Sequence, residues 1–157
     1  LTEHGRQIAL NIIRKHRLWE VWLVNKLNFK WDEVHEIAEQ LEHVVSPELI
    51  EQLDEHLGFP KSDPHGDLIP DAKGRFAKNS SKPLLDHKVG DKTKFIGVSE
   101  HSNSFLQYLT KNNIKLGDEL LIESIEEFDN SFQVKINRKI QKLLSKEVVK
   151  NILVITC

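Results

Sequence analysis

The sequence predicts an α+β chain in two parts, helices first and short strands after. Three observations carry this. Apolar residues recur at helical spacing up to Leu57, a Pro- and Gly-punctuated stretch follows, and beyond Lys88 short apolar runs alternate with turn signals. The order, helices and then strands, gives segregated α and β layers instead of alternating βαβ units.

Composition bounds the function before any motif is read. The 157 residues are 39% hydrophobic, enough for a modest core in one ordinary domain or two small ones. A net charge of −2 leaves no basic footprint, which argues against nonspecific nucleic-acid binding by this stretch alone. No apolar run reaches membrane-spanning length and no signal-peptide pattern opens the sequence, so the expected location is cytoplasmic. The single cysteine, Cys157, rules out an internal disulfide and a cysteine-rich zinc knot. There is no methionine, even at position 1, so the sequence reads as a fragment of a longer chain.

Leu1 to Leu27 is expected as one helix, with Thr2 as N-cap and an apolar stripe through Ile8, Ile12, Trp19 and Leu23. His16 sits on the edge of that stripe and Glu20 follows four residues later, on the same face. The ordinary explanation is a contact at the core margin; the sharper one is a pair of ligands. Arg14, Lys15 and Arg17 read as a solvated face. After a break at Asn28 to Lys30, Trp31 to Val45 (WDEVHEIAEQLEHVV) reads as a second helix that Asp32 caps. At about 100° per residue, Val34, Ile37, Ala38, Leu41, Val44 and Val45 form its core arc, and His35, Glu39, Glu42 and His43 gather on the neighbouring arc. A solvated face is the common occupant of such an arc, yet two imidazoles and two carboxylates are also a ligand set. Ser46-Pro47 starts a third helix as N-cap and N1, with Leu49, Ile50, Leu53 and Leu57 inward and Gly58-Phe59-Pro60 as the stop. Three short helices carry more apolar face than they can bury among themselves, which predicts a homodimer.

Connector texture begins at Pro60, where Asp63-Pro64-His65-Gly66-Asp67 places a carboxylate and an imidazole two residues apart in a turn. An Asp-Pro turn alone accounts for that sequence. Lys94–Val98, Glu119–Ile125, Phe132–Ile136 and Leu153–Ile155 read as strands, with a hairpin turn at Asp129-Asn130. Ser102 to Asn113 is expected as a helix burying Phe105, Leu106 and Leu109, and Ser145 caps a single helical turn before the last strand. Five or so strands with a helix suggest a small β-barrel. The expected division is a helical domain over 1–70, a linker over 71–87 and a barrel over 88–157.

Taken in order, LTEHGR, RKHRLWE, VHEIAEQLEHVVSPELIEQL, DPHGDLIP and a terminal barrel resemble the diphtheria toxin repressor and manganese transport regulator family of metal-dependent repressors. The GDEL strand and LSKEVVKNILV ending resemble the SH3-like domain related to the ferrous transport protein FeoA. The resemblance implies a helical metal-binding and dimerisation domain followed by a small SH3-like β-barrel. Family members begin with a winged helix-turn-helix domain leading into L-T-x-x-G, here Leu1, Thr2 and Gly5, and that domain is missing from this sequence. Operator DNA would then be contacted only through the missing part.

The same resemblance assigns His16, Glu20 and His35 as ligands of one metal site, and Glu39, Glu42 and His43 to the effector site. Glu39 stands where the iron-responsive branch has cysteine, so the sequence looks manganese-like. Replacing a thiolate with a carboxylate makes a site harder, which favours Mn(II) or Fe(II), although Zn(II) still binds an oxygen and imidazole set. Asp63 and His65 match the Cys and His of a Cys-Pro-His-Gly connector site, and Glu100 or His101 occupies the position of a ligand from the SH3-like domain.

Two other classes compete. A metalloenzyme with a helical-bundle metal centre is disfavoured because Gln40, not Glu, precedes His43 by three, and because HEIAEQLEH is not HExxH. A metal-free interaction module would show no response to metal. No catalysis is expected. If Glu39, Glu42 and His43 share an ion, Glu39→Cys will move metal preference from manganese toward iron, cobalt or zinc. Competitive titration of the full-length protein, with circular dichroism as folding control, checks this; an unchanged preference in a folded variant removes Glu39 from the site.

Overall fold

The computed structural model describes residues 2–157; Leu1 of the L-T-x-x-G signature lies outside the described residues. The chain divides into two compact units, one reaching Lys78 and the other running from Asn79 to Cys157.

The first unit is built on α1, Glu3–Leu27. Its start follows the sequence: Thr2 Oγ1 accepts the Gly5 N–H at 3.1 Å. Asn28, in the left-handed region at φ 58°, ends it by donating its N–H to the Leu23 carbonyl. Only the C-terminal half of α1 is core. Leu18, Trp19, Val21 and Leu23 are buried, whereas Ile8 and Ile12, expected in the same stripe, are 48% and 37% exposed.

The second helix is much shorter than its apolar pattern predicts, with α2 running His35–Leu41. Trp31 to Glu33 is a turn closed by the Glu33 N–H on the Lys30 carbonyl, and the N-cap is Val34, whose side chain offers no acceptor, so Asp32 does not cap the helix. At the other end the chain tightens, the Val44 N–H reaching the Leu41 carbonyl, and Ser46 is extended at φ −152° ahead of Pro47. A residue before proline is pushed out of the helical region, so no helix could run past Val45. Val34 and Ala38 are buried as expected, but Val44 and Val45 fall beyond the helix and are exposed.

Helix α3, Pro47–His56, begins as predicted, with Ser46 Oγ accepting the Leu49 N–H at 3.3 Å. Ile50 and Leu53 pack onto the α1 core, while Leu49 is exposed. The stop is Gly58 at φ 75° followed by Phe59 at φ 57°, a pair of left-handed residues that turns the chain back. Arg14 departs from the solvated face expected of it. It is buried, its Nη2 donates to Asp54 Oδ2 at 2.7 Å and its Nη1 lies 3.2 Å from Glu51 Oε1, tying α1 to α3.

The second unit is a six-stranded antiparallel sheet: β1 Lys82–Pro83, β2 Lys92–Val98, β3 Glu119–Ile125, β4 Phe132–Ile136, β5 Ile140–Leu144 and β6 Ile152–Thr156. The order is β1-β6-β2-β3-β4-β5, with bulges between Phe95 and Gly97 and between Ile122 and Ser124. The expected barrel is thus an SH3-like sheet that stays open between β1 and β5 among the described residues. Helices α4, Asn103–Lys111, and α5, Lys146–Asn151, start at Ser102 and Ser145 as predicted. Strand β5 was not visible in the sequence. Its turn uses Asn137 and Arg138, both at positive φ, without a glycine to mark it, and only Leu144 of IQKLL is buried. Order also begins before Lys88, because Lys82 pairs with Val154 and Leu84 is fully buried.

Asp54→Ala is expected to strand a buried guanidinium and cost about 2–3 kcal/mol in urea unfolding, on the low side for a buried pair because Glu51 still reaches Nη1. Glu51→Ala, removing an exposed partner, should cost under about 1 kcal/mol. Equal effects would show that Arg14 is not anchored by Asp54.

Candidate metal centre

The fold places Glu20 on the buried face of α1, where its side chain is only 3% exposed, and three imidazoles approach it from different segments. One turn back on α1, His16 Nε2 is 3.0 Å from Glu20 Oε1. His35, the first residue of α2, brings Nδ1 to 3.6 Å from the same oxygen. On the other side, His65 Nδ1 lies 3.5 Å from Glu20 Oε2 and 3.9 Å from Asp63 Oδ1. His16, Glu20 and His35 form one group with ligand atoms within 4.8 Å of one another, and Glu20, Asp63 and His65 form a second. Glu20 belongs to both.

Local chemistry fixes the far side. Asp63 Oδ1 accepts the backbone N–H groups of His65 at 2.8 Å and Asp67 at 3.0 Å, an Asx-type turn that holds carboxylate and imidazole on the same side. Arg17, expected in solvent, donates to the Leu68 carbonyl and places Nε 3.9 Å from Asp63 Oδ2, pinning the turn to α1. His65 Nε2 is 2.6 Å from the Trp31 carbonyl, and the Trp31 and His65 rings are stacked with centroids 6.1 Å apart. Trp31, Arg17 and Asp67 were not singled out as site residues. Backbone acceptors and turn donors leave no ligand-like signal in a sequence.

The electrostatics are those of acids and two imidazoles, His16 and His65, forced together in little water, with His35, 71% exposed, at the solvent edge. Burial alone would lower the His16 and His65 pKa values, but the hydrogen bonds and charges of Glu20 outweigh it and raise both, His65 to about 9. Glu42, 2.7 Å from His16 Nδ1, adds to the His16 shift. For Glu20, burial raises the pKa, but the His16 and His65 hydrogen bonds win and hold it well below the ordinary carboxylate range. Asp63 goes the other way, pushed up to about 7 by burial and then by the charge of Glu20. Protons on His16 and His65 therefore compensate the buried carboxylates. A divalent cation supplies the same compensation, and three imidazoles with two carboxylates are a fitting donor set for a borderline or hard metal.

The remaining candidates are placed differently. Glu42 reaches His16, and His43 Nε2 is 3.9 Å from Glu42 Oε1, but both follow the end of α2. Glu39 is exposed, and Glu39, Glu42 and His43 do not form a compact ligand group among the described residues. The helical spacing that grouped them ends at Leu41. Glu100 and His101 are exposed in the second unit, where the Glu100 carboxylate accepts the Ser102 N–H at 2.8 Å.

Comparison with known proteins gives two adjacent family matches. Residues 2–71 match the iron dependent repressor, metal binding and dimerisation domain, and residues 82–156 match the FeoA domain. Among curated proteins, a probable metal transport system membrane protein of Chlamydia trachomatis is 46% identical over 70 residues, 45% of this chain and 16% of that protein. The iron-dependent repressor IdeR of Mycobacterium tuberculosis is 43% identical over 70 residues, 30% of its length. The chain thus spans less than a third of these relatives. Among solved structures, a manganese-dependent transcriptional repressor in complex with manganese is 37% identical with a TM-score of 0.94, covering all of this chain and 75% of that one. The manganese regulator SloR is 32% identical with a TM-score of 0.84, covering 72% of its chain.

The pKa shifts set a pH dependence for metal-free protein. The raised His16 and His65 values contribute stability below pH 6.5 that is lost as pH rises, through about 9 for His65. The raised Asp63 value removes stability between 3.8 and about 7, whereas the lowered Glu20 value removes it only in acid, below 4.5. Chelator-treated protein should therefore have its highest Tm at about pH 4–5, where the Glu20 gain is nearly complete and the Asp63 loss has only begun, and a falling Tm from there toward about pH 9. Glu20→Gln should flatten that fall; a Tm that rises from pH 6 to 9 would contradict these protonation states.

Proposed function

Because the chain belongs to the family of metal-dependent transcriptional repressors, we propose that it is the metal-sensing and dimerising region of a manganese- or iron-responsive repressor of metal-uptake genes, acting in the cytoplasm. The observation that carries this is Glu20, whose two carboxylate oxygens face two separate sets of imidazole and acid ligands inside the helical unit. Mn(II) is the proposed physiological ion, supported by the all-nitrogen-and-oxygen donor set and by the manganese-dependent repressors that match the whole chain. Fe(II) is the alternative, and Zn(II) or Cd(II) are suitable substitutes in vitro; structures of the related ScaR contain each of these two.

In this reading Glu20 is shared between two ligand sets, holding an ion with His16 and His35 on one side and contributing with Asp63 and His65 to a second site on the other, while Glu39, Glu42 and His43 are held for the effector site. The ion supplies positive charge that replaces the protons on the imidazoles. Joining α1, α2 and the 63–67 turn through Glu20 fixes their mutual placement, and that placement shapes the surface on which a second copy packs. Residues 1–70 serve as the metal-binding and dimerising domain and the C-terminal part as the FeoA-like domain, which starts before the expected Lys88 because β1 at Lys82–Pro83 already belongs to its sheet. Ile8, Ile12, Val44, Val45 and Leu49 are exposed apolar residues of the helical unit and support homodimer formation. Operator DNA is bound through a winged helix-turn-helix domain elsewhere in the whole protein, and no catalysis is assigned to the metal.

A second reading has the same metal-sensing region joined to a transporter, as the name of the Chlamydia trachomatis relative suggests. The full-length match of both units to repressor structures favours the first.

Competitive metal titration tests the site. Glu20→Gln should weaken manganese binding about 100-fold or more, since it removes the group common to both ligand sets. Unchanged affinity in a folded variant would sink the assignment. Light scattering at micromolar concentration should give a dimer, and Ile12→Glu with Val45→Glu should give a folded monomer; a monomeric native chain would count against the dimer.

A further inference from the structure

His65 has two ring nitrogens, and only one can face Glu20 and Asp63. Its other nitrogen, Nε2, lies 2.6 Å from the main-chain carbonyl of Trp31. A carbonyl oxygen only accepts, so Nε2 must carry the proton of that bond. Nδ1 is then the nitrogen that faces Glu20 Oε2 at 3.5 Å and Asp63 Oδ1 at 3.9 Å, carrying a proton toward them in metal-free protein and a free lone pair once an ion displaces that proton. The Trp31 ring reinforces this arrangement, lying nearly parallel to the imidazole with an interplanar angle of 11°. A flat neighbour restricts rotation about the ring's own axis, the motion that would exchange the two nitrogens.

The irregular backbone at Trp31 is what makes its carbonyl available. In an uninterrupted helix from Trp31, that carbonyl would accept the His35 N–H. Instead residues 31–33 form a turn, α2 starts at His35, and the carbonyl faces His65 across the unit. The same turn thus delivers His35 to one side of Glu20 and orients His65 on the other.

We propose that Trp31 is a positioning residue for the buried metal centre, its carbonyl fixing the protonated Nε2 of His65 and its indole holding the ring plane so that Nδ1 is the ligand atom. This rests on the reading of the Glu20 cluster as a metal site. A metal-ligating histidine usually donates its second N–H to a carboxylate, carbonyl or water, and loss of such support typically costs 10–100-fold in affinity. The indole removes one competing orientation before the ion arrives.

The test uses the whole chain loaded with isotopically labelled cadmium and nitrogen-labelled histidine, read by NMR, with cadmium titration of two variants. Expected are cadmium–nitrogen coupling at His65 Nδ1 and a protonated Nε2. Trp31→Leu, which leaves the carbonyl but removes the flat ring, should weaken cadmium binding about 10-fold, and Trp31→Phe should restore most of it. Coupling at His65 Nε2, or full affinity in a folded Trp31→Leu chain, overturns the proposal while leaving the metal site standing. Should Trp31→Leu fail to fold, the native spectrum decides on its own. Absence of coupling to His16, His35 and His65 alike would overturn the metal-site reading itself, and the role of Trp31 with it.

Discussion

The helical unit is organised by the burial of one carboxylate. Glu20 sits on a helix face whose neighbours Leu18, Trp19, Val21 and Leu23 are core. An ionised carboxylate in such surroundings is costly unless positive charge and hydrogen bonds reach it. His16 comes from the same helix, but His35 and His65 have to be carried in by α2 and by the 63–67 turn. The positions of those two segments are therefore tied to Glu20 as well as to the apolar core. Under the proposed reading, a cation that replaces the protons of His16 and His65 would act on these same joints between α1, α2 and the 63–67 turn.

The rest of the unit repeats this use of charge where apolar area is short. Arg14 is buried against Asp54 and Glu51, joining α1 to α3, and Arg17 holds the Asp63 turn through the Leu68 carbonyl and Asp63 itself. Buried ion pairs are specific in geometry but give modest net stability. Meanwhile Ile8, Ile12, Val45 and Leu49 stay exposed. A unit with charged groups among its core residues and apolar residues on its outside is completed by covering the outside, which is the physical content of a dimerisation domain. The second unit has a largely apolar core, with Phe95, Leu106, Leu120, Phe132, Val134 and Leu144 nearly or fully buried, although Val89, Phe128, Ile140 and Leu143 are exposed there too.

Local chemistry made much of this legible in the sequence. Thr2, Ser46, Ser102 and Ser145 each cap the helix that follows them, because a short side chain with an oxygen acceptor satisfies an N–H that nothing else in the chain can reach. Strands β3 and β4 appear at their predicted bounds because their alternation records one buried face. The order of motifs also identified the family. His16 and Glu20 were readable as neighbours because an i,i+4 spacing on a helix requires it.

What tertiary structure alone decided is where the helical pattern stops counting. WDEVHEIAEQLEHVV has an apolar period suited to fifteen helical residues, yet α2 keeps seven. On one side the chain tightens after Leu41, the Val44 N–H reaching the Leu41 carbonyl, and on the other the Trp31 carbonyl bonds to His65, thirty-four positions away. That long-range bond is invisible to periodicity. Asp63 and His65 likewise looked like an ordinary turn, and only packing against α1 made them buried partners of Glu20. Sequence determines which side chains can ligate and which residues can begin a helix, since those properties belong to single residues and their near neighbours. Which ligands meet is settled by segments far apart in the chain, because a buried charge takes its partners from whatever the fold brings within reach.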